Sequence, residues 1–442
     1  MYKSIISSIG DKDDDGDPDV VYYNADIINN SSLDPDGTGD TNIIRFIETR
    51  NVPLINNLSN FEFSIIRFTM NGPNLNLPIH IPTIELGQSN INKTTYVIMM
   101  NLKKTFTDGG GTTHIVDIPI SKNIEYETET TAYILDNFPL PQPPIEQQDT
   151  RGTYYWIYTY GHFCKLVNKT IIDIFNDFQT QLTNIQAILT PPFNTSTIIS
   201  QPPKLIFNQT TNLFSIYYDA YSAGDNATTN TSFGTLTEEI LTVSFNNNLY
   251  NLLANFESEY VGVNQSNTET NVLKVVNKNY INWVAPVAGI PPSIIPQPAT
   301  DGYWVMTQNY LSISTLWSPI SSIVFTSTLI PIYPEQVGEP TIFGDSNDLG
   351  FSTSSSAFQP IITDVSLPLT TAHDYRQFIE YAPSAEYRMS AFTKSKQSLS
   401  NIDVQVYFKN RLDNSLYPIR MTNYSTVSLK MMFRKKKKYI HL

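Results

Sequence analysis

The chain has 442 residues, 28 lysines plus arginines against 41 aspartates plus glutamates, and a formal net charge of −13. That length exceeds what one compact core fills, so two or three lobes are expected. A body this acidic excludes broad phosphate-neutralising contact with nucleic acid. The single cysteine, Cys164, excludes an intrachain disulfide, which fits a reducing compartment or a fold that needs no staple. No apolar run approaches the length of about 20 residues that a membrane-spanning helix needs, so no transmembrane segment is expected, and the opening Met1–Ser7 is too short and polar for a secretory signal.

Residues 1–42 are polar and acidic, with strand character only at Val20–Ile28, and read as an extended arm ordered by contact with neighbours. From Ile43 the pattern becomes regular. Ile43–Glu48 is a candidate strand. Phe61, Phe63 and Ile65 alternate with Glu62, Ser64 and Ile66, the period of two of a half-buried strand. Leu77–Pro82 reads as a Pro-bounded edge. Thr94–Leu102, Ile115–Ile120 and Thr131–Leu135 follow as short, evenly spaced strands, with Gly109–Gly111 as a turn. That spacing points to a sandwich or barrel.

Pro139, Pro141, Pro143 and Pro144 mark a linker or exposed loop, and Tyr154–Tyr160 an aromatic strand. The clearest helix comes next: Phe163, Val167, Ile171, Ile174, Phe178, Leu182 and Ile185 recur every three or four residues until Pro191-Pro192. Leu205–Phe207 and Leu213–Tyr218 bracket a hairpin. A short helix is expected from Asn248 to Phe256, a strand over Val272–Trp283, a strand buried on both faces over Ile323–Leu329, and a Gly/Ser-rich loop over 344–357. Near the end, Ile402, Val404, Val406 and Phe408 alternate with polar neighbours, and so do Val427, Leu429, Met431 and Phe433. Two such strands close together predict an antiparallel sheet with one buried face. The last strand runs into Arg434, Lys435, Lys436, Lys437 and Lys438, a basic tail that either contacts nucleic acid or an inner shell or serves as a solvated, solubilising end.

Enzyme signals are weak. His80, His114, His162, His373 and His441 form no zinc-ligand array, and no phosphate-binding loop or nucleophile elbow is present. His162 and Cys164 are two apart at the head of a helix, a spacing that does not bring side chains together. Asp11, Asp13, Asp15 and Gly16 match the first half of a calcium loop, but Tyr22 stands where a bidentate Glu is needed. Asp19 offers a replacement ligand, so the segment is either a weak Ca²⁺ site or a solvated acidic arm. No other cofactor is expected. The sequons at Asn168, Asn194, Asn230 and Asn423 match chance in so Asn-rich a chain. The 26 tyrosines and 23 phenylalanines suit either a sandwich core or a glycan-binding platform.

Several stretches carry a resemblance: Phe46–Pro53, Phe61–Phe68, Leu77–Pro82, Tyr155–Phe163, Trp317–Thr326, Pro383–Arg388 and Ile402–Lys435. Together they resemble the minor capsid, or penton, proteins of virophages and polinton-like DNA viruses. The resemblance implies a mainly β chain, an antiparallel β-sandwich of jelly-roll type, with five copies of the roll at an icosahedral vertex. The chain is longer than one roll needs. The expected organisation is an acidic arm at 1–42, the opening strands of the roll at 43–160, an inserted or second β-rich domain at 161–350 carrying the helix 161–189, the closing strands of the roll at 351–433 and a basic tail at 434–442. Partners are then further copies of the chain, with a pentamer favoured, other capsid proteins, and the genome through the tail. Synthesis in the host cytoplasm or a virus factory would precede incorporation into the virion. Two rolls would instead suit a major capsid protein forming pseudo-hexagonal trimers, and a receptor- or glycan-binding spike is the other alternative.

Overall fold

The computed structural model describes residues 3–9, 17–28, 44–71, 77–107, 111–129, 153–188, 201–219, 241–264, 270–275, 303–310, 319–337, 357–366, 378–382, 388–393, 397–411, 416–419 and 425–436, with 143–144, 283–284, 317, 414 and 421. The chain forms two compact units. Unit 1 comprises residues 1–78, 130–140 and 318–442, and unit 2 comprises 79–129 and 141–317.

Unit 1 contains two facing sheets. One has the order β1 (Lys3–Ile9), β2 (Val20–Ile28), β22 (Thr426–Lys435), β4 (Phe61–Asn71), β18 (Phe378–Tyr381), with β19 (Ser390–Ala391) also on β4. The other runs β17 (Ile361–Ser366), β14 (Ile320–Thr326), β20 (Asn401–Asn410), with β21 (Leu416–Pro418) and β3 (Arg45–Thr49) sharing the far edge of β20. A separate two-stranded ribbon pairs β15 (Glu335–Val337) with β16 (Ala357–Gln359). Leave β1, β15, β16, β19 and β21 aside and eight strands remain. They pair antiparallel as first with last, β2–β22, then β3–β20, β4–β18 and β14–β17. That nesting is what a long eight-stranded ribbon makes when it folds over itself, the jelly roll.

The alternation read from the sequence explains why this ribbon closes. Val427, Leu429, Met431 and Phe433 are buried, as are Ile402, Val404, Val406 and Phe408. On β4 the apolar phase slips from Phe61, Phe63 and Ile65 to Phe68 and Met70. A bulge opposite Lys430/Met431 absorbs the extra residue and returns both runs to the core. Aromatic contacts tie the sheets together, with Phe68 on Phe325 at 4.9 Å and Tyr23 on Phe46 at 5.9 Å, while Phe63 stacks on Phe433 at 4.7 Å within one sheet.

Unit 2 is built around α1 (Tyr160–Ile188). Phe163, Val167, Ile171, Ile174, Phe178 and Leu182, the stripe read from the sequence, are buried in one core. Thr159 caps the helix, its hydroxyl oxygen accepting from His162 N at 3.0 Å. A five-stranded sheet has the order β10 (Ser258–Asn264), β11 (Thr270–Val275), β9 (Leu241–Asn246), β5 (Lys93–Thr107), β6 (Thr113–Glu125). A four-stranded sheet has the order β12 (Trp283–Val284), β13 (Tyr303–Thr307), β8 (Leu213–Asp219), β7 (Lys204–Asn208). The second helix, α2 (Asn247–Leu252), is capped by Asn246, which also bonds Val97 N and Thr95 O of β5. The Asn168 side-chain amide of α1 donates to Leu205 O of β7 at 2.9 Å and accepts from Leu205 N at 2.7 Å.

Several boundaries differ from the sequence reading. Strands β5 and β6, expected in the first half of the roll, belong to unit 2, so unit 2 starts at residue 79 and ends at 317 rather than spanning 161–350. Local periodicity cannot say which sheet a strand joins. Residues 20–28, expected in a neighbour-dependent arm, form an interior strand of this chain's own sheet, with Tyr23 and Ala25 fully buried. Leu77–Pro82 makes only an isolated bridge at His80, because its prolines deny a ladder its donors. Of the strand expected over Tyr154–Tyr160, only Ile157 pairs, in the bridge to His80, between a 3₁₀ turn at Thr153–Tyr155 and the start of α1. The strand expected over Val272–Trp283 has its two ends in β11 and β12 of different sheets, and residues 276–282 lie outside the described residues. Thr131–Leu135 and residues 344–356 lie outside the described residues.

Candidate assembly surface

Three polar latches set the surface of unit 1. The first joins the sheets where β2 faces β3. The buried Tyr23 hydroxyl donates to Glu48 Oε2, and Arg50 bonds Glu48 Oε1 at 3.0 Å. The second sits on β20. Asp403 is 0 % exposed, although the alternation placed it on the polar side of the strand. Its carboxylate accepts from the Ser327 hydroxyl, Thr328 N at 3.0 Å, Thr328 Oγ1 at 2.8 Å and Leu329 N at 2.8 Å. Burial alone would raise its pKa, but these donors outweigh burial and hold it below the usual carboxylate range. The turn that Asp403 fixes leaves Leu329 45 % exposed, and Ile47, in register with Asp403 on β3, is 42 % exposed.

The third latch gathers both ends of the roll. Buried Asp17 accepts from Asn56 N at 3.0 Å, Asn56 Nδ2 at 2.8 Å and Asn57 N at 3.2 Å. The Lys435 ammonium donates to Asp17 O at 2.7 Å, and Lys435 N donates to Asp19 O at 2.9 Å. Lys436 donates to Asn60 O through its backbone and to Ser59 O through its ammonium, at 2.7 and 3.0 Å. Arg434 lies 3.6 Å from Glu62. Arg434 and Lys435 are therefore residues of β22 and Lys436 is hydrogen-bonded to the segment before β4, so the expected tail at 434–442 is fold as far as Lys436. Lys437 and Lys438 lie outside the described residues, as do Asp11, Asp13 and Asp15. Asp19 is described; it is exposed, with its carboxylate 4.0 Å from Lys435. Among the described residues no group of three metal-ligating side chains converges.

In unit 2, His162 and Cys164 at the head of α1 have different neighbours, Glu127 and Glu129 for the first and Phe207 and Lys204 for the second. His162 Nε2 meets Glu127 O at 2.7 Å, and Nδ1 lies 3.6 Å from Glu129 Oε2. Burial lowers the His162 pKa. Burial also pushes the Cys164 thiol up to about 12, so it carries no thiolate at neutral pH. A hollow of about 350 Å³ is lined by Lys93, Lys122, Asn123, Glu125, Lys169 and Asp173 among others. Its three lysines are each paired, Lys93 with Glu85, Lys122 with Asp177 and Lys169 with Glu127. The hollow therefore offers no concentrated charge to a ligand.

Sheet edges differ between the units. In unit 2, β10 carries a bulge at Tyr260/Gly262, with Gly262 at φ +121°, and β6 carries Pro119 in mid-strand. Both features discourage strand addition. In unit 1, β18 has four residues, and β3 and β21 have five and three. The edge strand β1 instead pairs with β2 over seven residues without a register break.

A family model described as Sputnik minor capsid protein V18/19 matches residues 21–435. The chain belongs to that family. This capsid protein is also similar in fold to a chain in the 3.5 Å cryo-EM structure of the Sputnik virophage, at TM-score 0.65 and 21% identity, covering 95% of this chain and 99% of that one. It is similar as well to the mavirus penton protein, seen in a crystal structure of its selenomethionine form, at TM-score 0.54 and 12% identity, covering 94% and 99%. No curated protein sequence matches it. The latch residues Asp17, Tyr23 and Asp403 were not singled out by sequence reasoning. The local signal was an acidic or phenolic residue on a strand or its approach, and what makes it a latch is a partner segment about 25 to 75 residues away.

Proposed function

We propose that this minor capsid protein is the vertex subunit of its virion, assembling as a pentamer among other capsid proteins. One observation carries the reading. The described strands contain a single nested set of eight, and the chain leaves that roll between its third and fourth strands to build unit 2. A double-roll facet protein needs a second nested set, whereas the described strands of unit 2 pair largely as hairpins, β5–β6, β7–β8 and β10–β11. The likeness to the mavirus penton protein supports the same reading. The role is structural rather than catalytic, in keeping with a buried, un-ionised Cys164 whose neighbours differ from those of His162. Synthesis in the host cytoplasm or a virus factory fits a chain with one cysteine.

Image averaging of the assembled protein tests the proposal. Five-fold rings, and roughly sixty copies per particle from closed point-group symmetry, are the expected outcome. Three-fold particles present in many hundreds of copies would overturn it. Two narrower proposals follow from the termini. Lys437 and Lys438 contact the genome or an inner layer, and Asp11, Asp13, Asp15 and Asp19 take up Ca²⁺ weakly. Calorimetry with a peptide of residues 8–24 decides the second, since no heat at millimolar Ca²⁺ ends it.

A further inference from the structure

We propose that β1 is an exchange strand: in the assembled protein, β1 of one copy pairs with the β2 edge of a neighbouring copy. Four observations lead there. The eight-stranded roll makes all its nested pairs without β1, so β1 is an addition to a closed ribbon. The family match begins at Val21, after β1. The only described strand that β1 pairs with is β2, from Lys3↔Asp26 to Ile9↔Val20. Residues 10–19 connect the two strands, whereas antiparallel hairpins mostly use loops of about 2–5 residues.

Chain geometry makes the exchange feasible. The latch holds Asp17 and Asp19 in place, so residues 10–16 make the crossing, and seven extended residues span about 23 Å, the reach that lets β1 pass from its own β2 to an adjacent copy. The swapped ladder contains the same hydrogen bonds as the unswapped one, so exchange costs little beyond ordering the connection. The site it fills also fits. Other described sheet edges in both units are short, bulged or interrupted by proline, and the edge of β2 accepts a regular seven-residue ladder. The partner is therefore a second copy of this chain, recognised by main-chain pairing. This inference rests on self-association and not on the five-fold number.

The test mixes two single-cysteine variants, Ile5→Cys and Asn24→Cys, which are register partners across β1 and β2. The variants carry tags of different size, are co-assembled as full chains, and are then oxidised. Exchange predicts a disulfide-linked band containing both tags, at a yield well above that of either variant alone. The double variant Ile5→Cys/Asn24→Cys, assembled by itself, then gives linked multimers. A double variant that closes only within one chain, alongside mixed assemblies without the two-tag band, overturns the exchange. A second measurement covers poor assembly of the cysteine variants: deletion of residues 1–10 should leave the single chain folded, with hydrogen-exchange protection kept in β20 and β22, and reduce assembly at least tenfold. Assembly at the wild-type level after that deletion also overturns it. Ring size is read separately from the same particles. Five-fold rings without the two-tag band reject exchange and keep the vertex role, and the two-tag band in three-fold rings does the reverse.

Discussion

Unit 1 and unit 2 are both β-rich, but they are held differently. Unit 1 is a closed ribbon whose polar latches keep charge: Asp403 stays ionised because four donors surround it, and Tyr23 is tied to a carboxylate. Unit 2 is a helix-centred core whose buried polar groups are driven toward neutrality. Desolvation raises the Tyr126 and Cys164 pKa values and lowers that of His162. Unit 1 also ends in a regular edge strand, while the outer strands of the five-stranded sheet of unit 2 are blunted. The roll thus carries the regular edge strand on which the exchange proposal rests, and the five-stranded sheet of the insertion does not.

The sharpest way to break this comparison is to damage one unit and watch the other. Phe178→Ala empties the centre of the α1 stripe and should destabilise unit 2 by about 4 kcal/mol. Hydrogen exchange should show protection lost in α1 and β5 while β20 and β22 keep theirs. Simultaneous loss in both units would show that they are not separate cores.

Asp403→Asn should weaken unit 1 by about 2–3 kcal/mol, because a charged acceptor of several donors becomes a neutral one. The change should appear as faster exchange at Thr328 and Leu329. Unchanged exchange there would mean that the turn holds without its clamp.

Acid titration separates the units by sign and range. His162 has a folded pKa below its unfolded value of about 6.5, so its neutral form favours folding, and stability falls as the pH drops below about 6.5. The groups facing it are Tyr126, Glu127, Glu129, Thr159 and Lys165. Asp403 has a depressed pKa, so its contribution is fully present above about 3.9 and is lost as pH falls through the lower folded value. Unit 2 should therefore loosen first as pH falls below about 6.5, and His162→Phe should flatten that part of the profile. Loss of protection in unit 1 before unit 2 on acidification would reverse the assignment.

Smaller effects sharpen the picture of the latches. Tyr23→Phe removes one charge-assisted hydrogen bond and should cost about 1–2 kcal/mol in melting experiments. Truncation after Lys436 should leave stability within about 0.5 kcal/mol, as for surface changes away from packed features. Truncation before Arg434 should be clearly destabilising, because it removes two residues of β22 and the contacts of Lys435 with Asp17 and Asp19. Equal melting of the two truncations would place Arg434 and Lys435 outside the fold. If the shorter truncation also leaves genome packaging unchanged, the inner-shell role of Lys437 and Lys438 falls.

By itself, the sequence determined the class of the protein and the inward faces of its strands. Ile402–Phe408 and Val427–Phe433 alternate with a period of two, and Phe163–Leu182 repeats at helical spacing, because burial selects side chains locally along a strand or helix. The two strand stretches, with others such as Phe61–Phe68 and Tyr155–Phe163, carried the family resemblance. Only the tertiary structure decided which sheet β5 and β6 join, that Val20–Ile28 lies inside the roll, and that Arg434 and Lys435 end a strand. It alone made Asp403 a clamp, through a turn some 75 residues away. Those decisions depend on pairing between residues far apart in the chain, and periodicity reports which way a residue faces without saying what it faces.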